Sequence, residues 1–302
     1  MESPVAGVSL DNPLPVIPGY DPARDTWASD GKVKFESTRM ARCEEDPLRR
    51  HLLLEAVRRY PDLIDTEAAL DLAIRLERDP KDRSPPQTLA SSEHYRAIRR
   101  GLASQVWNLL ATSGLGKGYA ISLRPSGLFV PARDLTVRKM KSIGRQFKTE
   151  FDREGITKTD GFLVMGLHGE FDVNREGYDV HLHLGGAGEK VDALEALRGV
   201  DRYVWTYRGL LPDGRKQSSR VVVSELKREH YPNRLTYISQ AYWPHSPTGR
   251  FGGSDEMLRG HRAGRMPEPY HANWLLLMDS LRVSDLVFTS GLKLTRNGFV
   301  LV

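Results

Sequence analysis

The stretch GFLVMGLHGEFDVNREGYDVHLHL, residues 161–184, contains two apolar segments separated by a polar turn sequence. The apolar segments, 161–173 and 178–184, have the composition of β-strands, and NREG between them is typical of a reverse turn. The stretch therefore predicts an antiparallel β-hairpin. It also carries three of the nine histidines of the chain, which makes it the first place to look for chemistry.

The last two histidines of this hairpin are separated by a single leucine. Side chains alternate between the two faces of a strand, so His181 and His183 lie on one face and can bind a divalent cation together. If NREG forms a four-residue loop, Glu170 lies opposite His181 and His168 opposite His183, and all four side chains share that face. These residues predict a Mg²⁺ or Mn²⁺ site. A three-residue loop would instead place Leu167, Gly169 and Phe171 on that face.

The segments around the hairpin alternate between strand and helix patterns. Strands are predicted at 118–126, 202–210 and 218–226, and helices at 134–153, 189–200 and 233–244. Strands and helices in this order predict an α+β fold, with a mainly antiparallel sheet and flanking helices.

The chain divides into four predicted segments. Residues 46–115 have apolar residues at helical spacing and predict a helical N-terminal region, preceded by an irregular arm at 1–45. The mixed strand and helix region occupies 116–245, and 246–302 predict a linker with a C-terminal helical tail. The apolar spacing in LLLMDSLRVSDLVFTSGLK fits core packing, with a helix-turn-helix fragment as the alternative.

The composition is typical of a globular protein, with 39% hydrophobic and 27% charged residues among 302. The sequence has no apolar stretch long enough to cross a membrane and no secretory signal pattern at its N-terminus, so we expect a cytoplasmic protein without a membrane partner. Cys43 is the single cysteine, which excludes an intramolecular disulfide and a thiolate metal cage.

The net charge is +5, and basic residues cluster between positions 133 and 148. A clustered basic helix attracts polyanions, although such a helix can also be an ordinary solvated surface. The candidate DNA-binding residues are Arg138, Lys139, Lys141, Arg145, Lys148, Lys227 and Arg228.

The segment LTYISQAYWP, residues 235–244, contains two tyrosines in a predicted short helix. A tyrosine hydroxyl can attack a phosphate that a metal ion polarises. Tyr237 and Tyr242 are five residues apart and so do not share a helix face, which leaves one as the candidate nucleophile. We favour Tyr237, which lies mid-helix beside Leu235 and Ile238, and expect Tyr242 to pack in the core or to stack on a base.

Taken in order, GYAISLRPS, VMGLHGEF…YDVHLHLGG and LTYISQAYW resemble the three motifs of the HUH endonucleases, above all those of plasmid rolling-circle replication initiator (Rep) proteins and related transposases. In that family the histidines lie on a central strand and bind a divalent cation, and a tyrosine nicks single-stranded DNA and stays linked to the 5′ phosphate. The resemblance covers 116–245. It implies His181 and His183 as metal ligands, Tyr237 as nucleophile, and Glu170, ahead of His168 and Asp172, as the further ligand.

The leading expectation is therefore a replication initiator of a plasmid or other mobile element, acting on single-stranded or origin DNA. Gln240 departs from the pattern, because many one-tyrosine members have a lysine there. This departure favours the alternative of a non-catalytic DNA-binding regulator, and a transposase of the same superfamily is another. A metal hydrolase that activates a water instead of a tyrosine is a third alternative. No GxxxxGK[ST] sequence is present, so the chain encodes no phosphate-binding loop of the helicase type.

Overall fold

The structure is a computed structural model of the chain. It describes residues 8–18, 28–29, 33–34, 40–77, 84–204, 220–227, 234–240, 243–245, 248–250, 257–259 and 264–302. Tyr242, Arg228 and residues 205–210 of a predicted strand lie outside the described residues. The described start of that predicted strand is a 3₁₀ turn, Asp201–Tyr203, instead.

An antiparallel sheet forms the centre of the fold, as predicted. In chain order the strands are β1 (Ala28–Ser29), β2 (Val33–Lys34), β3 (Gly118–Leu123), β4 (Phe129–Pro131), β5 (Phe162–Asp172), β6 (Gly177–Ala187), β7 (Val221–Glu225), β8 (Thr248–Arg250), β9 (Met257–Arg259), β10 (Val287–Ser290), β11 (Leu292–Thr295) and β12 (Gly298–Leu301). The central sheet has the order β10-β5-β6-β3-β7, and β4 pairs with β6 beyond the end of β3. The remaining strands form separate two-stranded pairs.

The predicted hairpin is β5 and β6, joined by the four-residue turn 173–176. The loop has the expected length but begins one residue earlier than NREG, because the Asp172 carboxylate accepts hydrogen bonds from the backbone N–H groups of Asn174 and Arg175. The register therefore differs from the prediction by two residues. His168 lies opposite His181, and Glu170 lies opposite Asp179 instead of His181. A shift of two preserves the alternation, so the predicted side chains still share one face.

Helices cover both faces of the sheet. They are α1 (Asp46–Arg59), α2 (Thr66–Leu76), α3 (Ser92–Thr112), α4 (Val137–Arg153), α5 (Glu189–Ala196), α6 (Tyr270–Ser280) and α7 (Val283–Leu286). We call the face that carries His168, His181 and His183 the histidine face, and the opposite one the far face. α3 packs on the histidine face, where Val106 lies over Gly185. α4 packs on the far face, where Gly144 lies over Leu167, and its buried residues Met140, Ile143, Phe147 and Phe151 fill that side of the core.

The N-terminal helices are as predicted and are tied together by a buried polar network. The Asp46 carboxylate accepts hydrogen bonds from the hydroxyl of Ser91 and the backbone N–H of Ser92, and so caps the N-terminus of α3. Next to it, the Glu45 carboxylate binds Arg49 at 2.9 Å and the guanidinium of Arg265 at 2.7 and 2.9 Å. Glu45 therefore connects the N-terminal region to the C-terminal part of the chain.

The Glu45 ion pairs predict an acid-dependent stability. Burial opposes ionisation of Glu45, but Arg49 and Arg265 outweigh it and lower the carboxyl pKa from 4.5 to about 2. A depressed carboxyl pKa contributes stability that is fully present above pH 4.5 and is lost as the pH falls towards 2. We expect Glu45→Gln to lower the free energy of unfolding by about 3 kcal/mol at pH 7 and by progressively less below pH 4.5. Urea unfolding at a series of pH values measures this difference.

The control for this prediction is Glu225→Gln, which removes the exposed ion pair between Glu225 and Lys117. Solvent screens that pair, so its loss is expected to change the free energy of unfolding very little at either pH. Equal losses in the two variants, or a Glu45→Gln effect that does not depend on pH, would contradict the assignment.

The C-terminal part is not the helical tail that the sequence predicts. α6 and the four-residue α7 are helical, but Val287 begins a strand, because β10 pairs with β5 and extends the central sheet beyond residue 245. The segment 264–302 thus lacks the second long helix that a helix-turn-helix motif needs. Among the described residues, no helix combines the length and apolarity that a membrane crossing requires.

Candidate metal and nucleophile site

Three histidines meet at the centre of the histidine face. His181 and His183 lie on β6, the middle strand of the five in the sheet order, and His168 lies directly opposite His181 on β5. The Nε2 atom of His181 is 3.1 Å from Nδ1 of His168 and 3.2 Å from Nε2 of His183. His168 and His181 are 1% exposed and His183 is 9% exposed, so solvent reaches the cluster from the His183 side.

The environment of His181 prepares it to act as a neutral ligand. Its Nδ1 lies 3.1 Å from the backbone oxygen of Asp179, a distance at which an Nδ1–H donates and leaves the Nε2 lone pair directed at the other two rings. Burial, followed by the charge of Arg124 and the neighbouring histidines, holds the pKa of His181 well below 6.5. The ring is therefore neutral at pH 7, and protons do not compete for the lone pair.

The three rings could hold a divalent ion. Two nitrogens bound to one ion at about 2.1 Å each, with angles between about 90° and 109°, lie roughly 3.0–3.4 Å apart. Two of the three pairwise separations, 3.1 and 3.2 Å, fall in this range. The three ligand atoms all lie within 4.8 Å of one another, so the third pair must come closer for all three to bind one ion. Ser122, directly opposite His183 on β3, adds a buried hydroxyl oxygen that has no hydrogen-bond partner among the described residues. The cluster can therefore hold a metal ion.

The predicted acidic ligand, Glu170, shares the face but is outside this group of three ligands. Its carboxylate is buried and bound by the guanidinium of Arg124, with contacts of 3.0 and 3.3 Å. Because the turn begins one residue earlier than predicted, His168 lies opposite His181, where Glu170 was expected. Asp172, the other acid considered, binds the turn backbone instead.

Tyr237 lies beside the histidines, as the sequence motif suggests. Its ring centroid is 5.9 Å from that of His183, in an edge-to-face arrangement. The predicted helix at 233–244 ends earlier in the structure: Arg234 and Leu235 are helical, Thr236–Ser239 form a 3₁₀ turn, and Gln240 is already extended. This turn rests on α3, where the Ser239 hydroxyl donates a hydrogen bond of 3.1 Å to the buried hydroxyl of Tyr95.

Two glycines of the hairpin allow the Tyr237 turn to approach the sheet. A Cβ atom on Gly166 would overlap the carbonyl oxygen of Ile238, one residue after Tyr237. A Cβ on Gly185 would lie 2.9 Å from the Ile238 side chain and 3.0 Å from that of Leu235. Both glycines belong to the histidine face, one on β5 and one on β6. The close approach therefore requires a residue without a side chain at position 166 and a small residue at position 185.

We expect Gly166→Ala to displace the Tyr237 turn and to lower the free energy of unfolding by about 2–3 kcal/mol, because a backbone carbonyl must move. Gly144→Ala in α4 is the matched control, since its new Cβ would meet only Leu167, at 3.8 Å. There the better helix propensity of alanine should stabilise the protein by up to about 1 kcal/mol. Urea unfolding of both variants tests the prediction, and a neutral Gly166→Ala would refute the close contact.

The predicted DNA-binding residues do not line this site. Arg138, Lys139, Lys141, Arg145 and Lys148 are exposed on α4, which packs on the far face. Lys227 is exposed just beyond the end of β7, and Arg228 lies outside the described residues.

The two aromatic residues after the Tyr237 turn differ in what the structure describes. Tyr242 lies outside the described residues. Trp243 is 2% exposed and packs against Gly169 and Tyr178, so it belongs to the core and offers no surface for a base.

Sequence reasoning missed the residues that hold this site together. Arg124 ends the motif GYAISLR. A cationic residue directly after a core strand could have indicated a buried acidic partner. Tyr95 and Ser239 are 144 residues apart, so no local pattern connects them.

Comparisons of the chain with protein-family models, with curated proteins and with solved structures give no match.

Proposed function

We propose that this protein nicks and rejoins single-stranded DNA in a metal-dependent reaction through a covalent 5′-phosphotyrosine intermediate on Tyr237. The observation that carries the proposal is the edge-to-face contact between Tyr237 and His183, inside a cluster of three histidines that suits a metal ion. The central position of the histidine strand also matches the arrangement implied by the resemblance to the HUH endonucleases.

His168, His181 and His183 would hold the metal ion. A divalent ion in this position supplies a Lewis acid that polarises the scissile phosphate. Three imidazole nitrogens are a donor set that suits Mn²⁺ or a later transition metal better than Mg²⁺, which prefers oxygen ligands. Of the two ions that the sequence suggests, we therefore favour Mn²⁺.

Tyr237 would act as the nucleophile. Its phenolic oxygen forms a bond to phosphorus and the bond from phosphorus to the DNA 3′ oxygen breaks. The phenolic proton passes to solvent water, and the leaving 3′ oxygen takes a proton from solvent water. The products are a 5′-phosphotyrosine and a free 3′ hydroxyl. Attack of a 3′ hydroxyl on the phosphotyrosine reverses these changes and rejoins a strand, because the phosphodiester energy is retained in the covalent bond.

The histidine face offers a path for the strand. Next to His183, Ser122 is partly exposed, and Val222 and Ser224 on the neighbouring β7 are exposed. These small side chains form an open strip from the sheet edge to the cluster. Arg124, on the same side, places a partly exposed guanidinium next to the histidines. It is paired with Glu170, and its remaining N–H groups could donate hydrogen bonds to a phosphate.

We propose a cytoplasmic replication initiator of a plasmid or other mobile element as the biological role, with a transposase as the alternative. Gln240 is 6% exposed, and its side-chain nitrogen has no hydrogen-bond partner among the described residues. A buried amide cannot replace a lysine charge, so Gln240 is the feature that favours a non-catalytic DNA-binding regulator.

The test is incubation with a labelled library of single-stranded oligonucleotides and Mn²⁺, followed by denaturing electrophoresis. The proposal predicts a labelled species of the mass of the protein plus a DNA fragment, and a second fragment that ends in a 3′ hydroxyl. The three-histidine donor set also suits a hydrolase that uses an activated water, which would release both fragments without a protein adduct. DNA binding without cleavage would instead indicate the regulator.

A further inference from the structure

Basic residues cluster on α4 and on the turn that precedes it. Between residues 133 and 148 there are six basic residues and one acidic residue, which gives 6 − 1 = +5. The whole chain has 44 basic and 39 acidic residues, which also gives 44 − 39 = +5. Counting α4 to its end adds Arg153, Glu150 and Asp152, so residues 133–153 carry 7 − 3 = +4.

The basic side chains of α4 are aligned. Arg138, Lys141, Arg145 and Lys148, which we call the basic stripe, are spaced by three, four and three residues, so they fall within an arc of about 80° on the helix. All four are exposed, and they span about 15 Å along the helix axis. Arg138 and Arg145 have no acidic partner among the described residues. Lys148 lies over the ring of Phe288 at 5.6 Å.

Two acids near the four cations of the stripe do not neutralise it. Asp152 is exposed on α4, four residues after Lys148. Asp285 lies 3.5 Å from Lys141 and 3.6 Å from Arg282, so a single carboxylate is shared by two cations. Arg282 is 65% exposed and extends the positive surface sideways from the stripe.

The stripe and the histidine site are on opposite sides of the sheet. α4 packs over Leu167 of the far face, whereas Tyr237 packs against His183 on the histidine face. A phosphate bound by the stripe would therefore be a different phosphate from one beside Tyr237.

We infer that the basic stripe binds the backbone of double-stranded DNA. A duplex presents one phosphate charge per about 1.7 Å of axis, and such a row of charges is complementary to a rigid row of cations. The aromatic residues of α4, Phe147 and Phe151, are at most 1% exposed, so the helix offers no ring on which the bases of a single strand could stack.

An anionic membrane surface is the competing partner, and the packing of α4 disfavours it. Interfacial helices insert an apolar face into the lipid. The apolar face of α4, formed by Met140, Ile143, Phe147 and Phe151, is fully committed to the core. The duplex surface acts independently of nicking, so the inference goes beyond the proposed function.

The test measures fluorescence anisotropy of a labelled blunt duplex of arbitrary sequence with metal-free Tyr237→Phe protein, which cannot form the adduct. With four phosphate contacts, affinity should fall about 100-fold between 50 and 200 mM NaCl. In the same background, Arg138→Gln/Arg145→Gln should reduce this fall to roughly 10-fold and weaken binding at 50 mM. The double variant should keep the parent affinity for Mn²⁺, because the histidines are on the other face.

The matched control is Arg58→Gln/Arg59→Gln, which removes two exposed charges from α1. It should bind the duplex with the same salt dependence as the parent. Equal weakening by both double variants, tighter binding to phosphatidylserine vesicles than to the duplex, or no duplex binding at 50 mM NaCl would each overturn the inference. None of these outcomes depends on whether Tyr237 forms an adduct.

Discussion

A Tyr237→Phe variant is expected to form no covalent protein–DNA product and to nick single-stranded DNA at least roughly 10³-fold more slowly than the parent. Phenylalanine fills the same space against His183 but lacks the oxygen that attacks phosphorus. Because Tyr237 is not in the histidine cluster, the variant should keep the parent affinity for Mn²⁺ and for single-stranded DNA. Single-turnover cleavage of a labelled oligonucleotide measures the rate, and calorimetry measures the metal affinity.

The matched control is Tyr119→Phe. Tyr119 is also partly exposed, but it lies three residues from Ser122 on β3 and therefore on the far face. This variant should cleave DNA at the parent rate. If Tyr237→Phe nicked as fast as Tyr119→Phe, the phenol of Tyr237 would not be the nucleophile, whatever metal the histidines bind.

The second large effect concerns the central ligand. The Nε2 atom of His181 is within 3.2 Å of both other histidines, so His181→Ala removes the donor that connects the cluster. We expect it to weaken Mn²⁺ binding more than about 100-fold and to reduce nicking in parallel, at saturating DNA. In the parent, Mn²⁺ should bind at least roughly tenfold more tightly than Mg²⁺, because the donors are imidazole nitrogens. Isothermal titration calorimetry gives these affinities.

His51→Ala is the control, since His51 is exposed on α1, outside the cluster. It should bind Mn²⁺ as the parent does. Circular dichroism and thermal unfolding of His181→Ala establish that the variant is folded. A folded His181→Ala protein with the parent Mn²⁺ affinity would show that the ion binds elsewhere.

Much of the fold could be predicted from local patterns. The alternation of apolar residues in the hairpin, the helical spacing of the N-terminal region and the breaks between them gave elements close to those observed. The C-terminal strand β10 could not be predicted in this way. Val287–Ser290 continue an apolar run from α6 and α7, and only pairing with β5, more than 100 residues earlier in the chain, makes them a strand.

The site was partly predictable because strand alternation survives a register shift of two. His168, His181 and His183 share a face for either position of the turn, whereas the partner of each residue depends on where the turn begins. That position depends on the Asp172 side chain, which prefers to bind the turn backbone. In the observed register His168 lies opposite His181 instead of His183, and the Glu170 carboxylate binds Arg124.

Local sequence patterns could not predict on which side of the sheet α4 packs. Its buried face is evident from the spacing of Met140, Ile143, Phe147 and Phe151, but both faces of the sheet are apolar enough to receive it. Because α4 packs on the far face, its basic residues cannot contact a ligand that is bound at the histidines.

Tandem mass spectrometry of the trapped protein–DNA product identifies the residue to which the DNA is attached. Trypsin cleavage after Arg234 and Arg250 yields one peptide, 235–250, that contains both Tyr237 and Tyr242. After nuclease trimming, we expect a nucleotide 5′-phosphate on Tyr237. A nucleotide on Tyr242, or cleaved DNA with no nucleotide on any tyrosine, would contradict this expectation.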